Sequence, residues 1–127
     1  MNFPIPVIDL FAGPGGLSEG FSALDKNMGT PSFTICLSVE KDENAYQTLL
    51  LRSFFRQFPF NMVPNLYYNI LKNTERPPNE RIRELYHNFP QQFENAIQCT
   101  LKAELGKDDK QSINERIKKA IGSIPFF

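Results

Sequence analysis

Residues 7–16 read VIDLFAGPGG, and this run constrains the fold more than any other part of the chain. Val7 to Phe11 is a near-continuous apolar stretch broken only by Asp9, the pattern of a strand buried on both faces of a parallel sheet. Gly13-Pro14-Gly15-Gly16 ends it. Glycine adopts backbone angles that other residues avoid and lets the main chain come close to a ligand. In open α/β sheets, ligands sit beyond the C-terminal ends of the strands, which is where this turn falls. The plainer reading of the same four residues is a tight strand-to-helix connection that binds nothing.

The next residues repeat the alternation. Leu17 to Leu24 forms a helix with Leu17, Phe21 and Leu24 on one side, and Phe33 to Val39 is a second strand rich in β-formers. Asp42 is a suitable N-cap for a helix over Glu43–Phe58, with Ala45, Tyr46, Leu49, Leu50 and Phe54 on its apolar face. Strand, helix, strand, helix predicts a right-handed βαβ start to a parallel sheet. Pro4 and Pro6 hold the residues ahead of it extended. The α/β segment spans residues 1–60.

Residues 61–127 read as helical. Residues 61–78 are irregular, and Asn79 caps a short helix through Tyr86. Phe93, Ile97, Leu101 and Leu105 recur at every fourth position, predicting a helix over 90–105 that stops at Gly106. Ser112 and Glu115 have capping-box spacing, and the helix they open buries Ile113, Ile117 and Ile121.

Net charge is zero and the pI is about 6.6, so the overall field selects neither nucleic acid nor an anionic membrane. No stretch approaches the roughly 18 apolar residues of a membrane span, and the first residues lack the pattern of a signal peptide. Cys36 and Cys99 lie far apart, without metal-ligand spacing, and read as reduced thiols. The location expected from these features is cytoplasmic.

The turn lacks the third glycine of a dinucleotide fingerprint, because Ser18 stands there, and it lacks the Gly-Lys-Ser/Thr of a phosphate loop. It suits a nucleoside without a pyrophosphate. Glu40 follows the second strand directly, where a carboxylate can accept hydrogen bonds from both hydroxyls of a ribose. A solvated strand end is the alternative for Glu40. A place in the core is the alternative for Phe11.

Asp9 to Phe21, DLFAGPGGLSEGF, closely resembles the first motif of DNA (cytosine-5) methyltransferases, and Ser38 to Ala45, SVEKDENA, resembles their second. The resemblance implies a partial Rossmann-like methyltransferase sheet with a helical C-terminal half, and S-adenosylmethionine as cofactor. It places Phe11 on the adenine face, with Lys41 beside it. Glu40 falls on the ribose. The backbone from Ala12 through Gly13, Gly15, Gly16 and Leu17 falls along the methionine part. The implied reaction moves a methyl group to cytosine C5 in DNA, as in DNA methylation of the restriction-modification type.

That reaction needs a thiolate at cytosine C6, carried in the family by a Pro-Cys motif that this sequence lacks. Cys36 follows Ile35 and Cys99 follows Gln98. Both read as structural, and His87 reads as a surface or packing residue. The expectation is therefore an N-terminal cofactor-binding segment, inactive alone, with DNA contacts made by sequence not present here. A first strand with an unpaired edge would favour self-association. A non-catalytic nucleotide-binding or interaction module is the competing reading; a dinucleotide-dependent oxidoreductase is a third, weakened by Ser18.

Overall fold

The computed structural model describes residues 4–122. It is an α/β structure in which three parallel strands, β1 (Ile5–Asp9), β2 (Phe33–Glu40) and β3 (Thr100–Lys102), form one sheet in the order β1-β2-β3. Six helices are present among the described residues: α1 (Gly16–Ala23), α2 (Glu43–Arg56), α3 (Asn65–Lys72), α4 (Pro78–Asn88), α5 (Pro90–Gln98) and α6 (Lys110–Gly122).

Side-chain alternation assigns the two faces of the sheet. Leu37, Val39 and Ala103 are buried with Ile113 of α6, and Ile8, Leu101 and Ile117 pack around them. Lys102 points to the opposite face, where its ammonium pairs with Glu43 of α2. There α1 packs on β2, and α2 packs on β2 and β3. Of the remaining helices, α5 touches the sheet at β3. Together these helices build a second core on the far side of α2 from Leu50, Phe54, Phe58, Tyr67, Ile70, Leu85 and Ala96.

The first strand lies two residues earlier than its apolar run predicts. It begins at Ile5, whose N–H donates to Ser32 O at 2.9 Å, and it ends at Asp9. The register with β2 slips by one between Val7 and Ile8, leaving Cys36 as the extra residue on β2.

The predicted helix over 90–105 is corrected. α5 stops at Gln98, and Thr100–Lys102 is a strand paired with Ser38, Val39 and Glu40. The four-residue spacing of Leu101 and Leu105 mimics a helix. The backbone of β2 overrides it: Ser38 N–H donates to Cys99 O at 2.9 Å, and Ala103 N–H donates to Glu40 O at 3.1 Å. Ser38 and Val39 are fully buried, so these groups need protein partners. Arg116 of α6 donates to the carbonyls of Ile97, Gln98 and Thr100 and so closes the end of α5.

Three smaller differences have local causes. Residues 61–78 contain α3, because Pro64 and Pro77 flank the helix rather than interrupt it. α4 starts at Pro78, with Pro77 rather than Asn79 in the cap position. α6 starts at Lys110, because Asp109 takes the capping role from Ser112: its carboxylate accepts from the N–H groups of Gln111 and Ser112.

β1 is an edge strand. Because Ile5 turns its N–H toward β2, alternation turns the backbone groups of Pro6 and Ile8 to the open side. Proline has no N–H to offer there, which blunts one position of the edge. Ile8 remains available for pairing, and sedimentation velocity is expected to show association that grows with concentration. A monomer at every concentration would mean that Pro6 suffices to block the edge.

The helical core carries a second testable feature. Tyr86 stacks on Phe93 at 4.3 Å and meets Phe54 edge-on at 5.0 Å, yet its buried hydroxyl has no hydrogen-bond partner among the described residues. An unsatisfied buried hydroxyl costs about 1–3 kcal/mol. Tyr86→Phe is therefore expected to raise the urea midpoint, by about 1 kcal/mol in stability. Burial pushes the Tyr86 phenol well above its ordinary value and that of Tyr67 up to about 12, with neighbouring tyrosines adding to both. The fold keeps these groups neutral, whereas the unfolded chain ionises them above pH about 10. Stability is complete below that pH and falls as pH rises toward 12. Tyr86→Phe is expected to flatten the fall.

Candidate functional site

The glycine turn, which joins β1 to α1, is held by one backbone hydrogen bond to β2 and one within itself. Ala12 N–H donates to Val39 O at 3.0 Å, tying the turn to β2, and Gly15 N–H donates back to Ala12 O at 3.1 Å. Gly13 has φ 55° and Gly15 has φ 94°, both in the left-handed region. Gly15 is the N-cap of α1 and offers no side chain as a cap. Its lack of Cβ also permits close packing, since a Cβ there would lie 3.0 Å from Leu49 Cδ1 of α2. A Cβ on Gly16 would meet nothing within 4 Å. Asp9, at the end of β1, accepts a hydrogen bond of 3.0 Å from Ser18 Oγ, on the buried side of α1. Asp9 is thus a structural residue that anchors the helix after the turn.

A cleft of about 190 Å³ opens across the C-terminal ends of all three strands. Leu10 and Phe11 line it after β1, Glu40 and Lys41 at the end of β2, and Ala103 to Leu105 after β3. Phe11 is 83% exposed, so it is not a core residue. Glu40 is half-buried, and its carboxylate makes no hydrogen bond or ion pair with another described residue. Lys41 is drawn to Glu104, with Nζ 3.6 Å from Oε1, and Lys107 approaches the same oxygen at 3.4 Å.

The structure therefore brings Phe11, Glu40 and Lys41 into one cleft. Ala12 is buried, and the cleft lining does not include Gly13, Gly15, Gly16 or Leu17. Gly15 packs against α2, while Gly16 and Leu17 lie on exposed surface. A ligand touching both Glu40 and the turn would lie across open surface between them. At about 190 Å³ the cleft is below the roughly 300 Å³ at which ligand pockets usually begin. A neighbouring cleft of about 460 Å³ shares Leu10 and Leu105 with it and runs under Ile113 and Ile117 of α6.

Leu10, Ala103, Glu104 and Leu105 are the lining residues that the sequence reading missed. The signal for the last three was the β-branched Thr100 after a helix end, masked by the spacing of Leu101 and Leu105.

Neither thiol reaches this cleft. Cys36 and Cys99 line a separate cleft of about 600 Å³ with Arg116 and Lys119, and burial raises both thiols above their ordinary value. A raised thiol is a poor nucleophile at neutral pH. Both are free, as the sequence reading expects. His87 is exposed in the last turn of α4. No cluster of three or more potential metal ligands occurs among the described residues. No helix among them is long and apolar enough to cross a membrane.

Comparison with protein-family models, with curated proteins and with solved structures finds no match to this chain.

The two faces of the turn make opposite predictions. Gly15→Ala places a Cβ at a positive φ and against Leu49, and is expected to destabilise by about 1–3 kcal/mol. Gly16→Ala has open space and a better helix former at the first helical position, and is expected to be neutral or slightly stabilising. Thermal unfolding of the two variants checks the contrast.

Proposed function

We propose that this chain is the cofactor-binding part of a DNA (cytosine-5) methyltransferase and that the strand-end cleft receives the adenosyl group of S-adenosylmethionine. One observation carries the reading: the unpartnered carboxylate of Glu40 and the exposed ring of Phe11 line the same cleft, at the sheet end where the glycine turn begins. A half-buried carboxylate with no protein partner is well suited to hydrogen-bond donors from outside, and the paired hydroxyls of a ribose supply two. An exposed phenylalanine offers a face on which a purine stacks. Lys41, held toward Glu104, borders the adenine. The turn from Ala12 to Leu17 has no long side chain before Leu17 and would run beside the methionine part.

The cofactor supplies an electrophilic methyl group on a sulfonium. This chain's residues bind and orient it; no described thiol lies in the cleft to activate the cytosine. On this reading the chain binds cofactor and transfers no methyl group, and its DNA contacts and nucleophile come from further polypeptide. The rival reading, a nucleotide-binding module without catalysis, uses the same cleft. Methylation of DNA by a longer form that supplies a Pro-Cys motif separates the two.

Calorimetry with S-adenosylhomocysteine tests the site itself. Glu40→Ala removes charge-assisted hydrogen bonds of about 1.5–3 kcal/mol, so affinity is expected to fall by about tenfold or more. Phe11→Ala removes a stacking contact and is expected to weaken binding by a similar factor. Unchanged affinity in Glu40→Ala would overturn the ribose assignment.

A further inference from the structure

Apart from the backbone hydrogen bonds of Ala12 to Val39 and of Gly15 to Ala12, the glycine turn has little of its own with which to hold its shape. Between Ala12 and Leu17 it carries no polar side chain, and two of its residues sit at positive φ. One side chain reaches in from outside. Arg52 of α2 donates from Nη1 to Pro14 O at 3.0 Å, and its Cδ would lie 3.6 Å from a Cβ on Gly15. Leu49, three residues before, packs at Gly15, and Arg56, four residues after, forms an ion pair with Glu19 in the first turn of α1. These three residues form one stripe on α2. The stripe grips the turn and the start of the next helix together.

The origin of α2 gives this contact its meaning. Glu40 ends β2, and Asp42 caps α2 by accepting from Ala45 N–H at 2.9 Å, so the helix is fixed relative to Glu40 across two residues. Arg52 returns from that helix to the carbonyl of Pro14, which lies between the two left-handed glycines. The N–H of this peptide, on Gly15, donates to Ala12 O, and Arg52 fastens its carbonyl end, so the two bonds together fix its orientation. We propose that Arg52 is a positioning residue, which fixes the conformation of the Gly13–Gly16 turn relative to Glu40. Its consequence for the methionine part of the cofactor rests on the function proposed above.

Two measurements on the whole chain test this and fail separately. The first is amide exchange. In Arg52→Ala, exchange over residues 12–17 is expected to speed up by about tenfold, the loss of one charge-assisted hydrogen bond, while β2 keeps its protection. Arg52→Lys keeps a donor and is expected to restore much of that protection. Unchanged exchange at the turn, or equal acceleration in turn and strand, would overturn the positioning role whether or not any ligand binds.

The second is calorimetry with two ligands. Arg52→Ala is expected to weaken S-adenosylhomocysteine by about tenfold and to leave adenosine unchanged, because adenosine has no group at the turn. Equal weakening of both ligands would assign Arg52 to general stability and overturn the proposal. A wild-type chain that binds neither ligand would overturn the cofactor reading, and the exchange result would then decide the role of Arg52.

Discussion

The structure depends on the need of β2 for backbone partners on both sides. Leu37, Ser38 and Val39 are fully buried, and a buried main-chain group without a partner costs as much as a lost hydrogen bond. β1 supplies one side of the ladder. The other has to come from a segment some sixty residues later in the sequence, and Cys99 to Ala103 provides it. That demand ends α5 at Gln98, draws Arg116 onto the exposed carbonyls and carries the chain across the sheet end that forms the cleft. The short β3 thus completes both the fold and the site.

Legibility in the sequence followed the distance over which each cause acts. The turn, the capping of α2 by Asp42 and the span of β2 are local matters, and residues near in sequence announce them. β3 is not local. Leu101 and Leu105 satisfy a helical period, and only β2 makes an extended chain the better solution there. The same distinction holds within the site. Phe11, Glu40 and Lys41 could be placed at strand ends from their positions in a βαβ unit, whereas Glu104 and Leu105 became visible only with the third strand. Phe11 shows the limit of apolar patterning: it continues a buried run in sequence and stands 83% exposed, because β1 leaves the sheet at Asp9. The stripe of α2 on the turn had no sequence signal, since Leu49 reads as core and nothing near Arg52 in sequence names its partner.

The helices divide the work on either side of the sheet. α1 and α2 lie on one face and α6 on the other, and right-handed connections stepping one way through β1, β2 and β3 account for the shared face of the first two. In open α/β sheets, ligands sit beyond the C-terminal ends of the strands, and the turn after β1 and Glu40 at the end of β2 both lie there. The strand ends and the unpartnered Glu40 carboxylate therefore lie at the same end of the sheet.

Chemistry at that end is limited by the placement of the thiols. Cys36 precedes Glu40 by four residues on the same strand, a separation of roughly 13 Å at about 3.3 Å per residue. Cys99 lies just before β3, on the side of the sheet that meets Arg116 rather than Phe11. Turning either thiol into a nucleophile for a substrate in the cleft would mean breaking the pairing of β2, which holds the sheet together. Burial acts in the same direction, because it keeps both thiols protonated. Among the described residues, the packing that makes the strand-end cleft is the same packing that withholds a nucleophile from it.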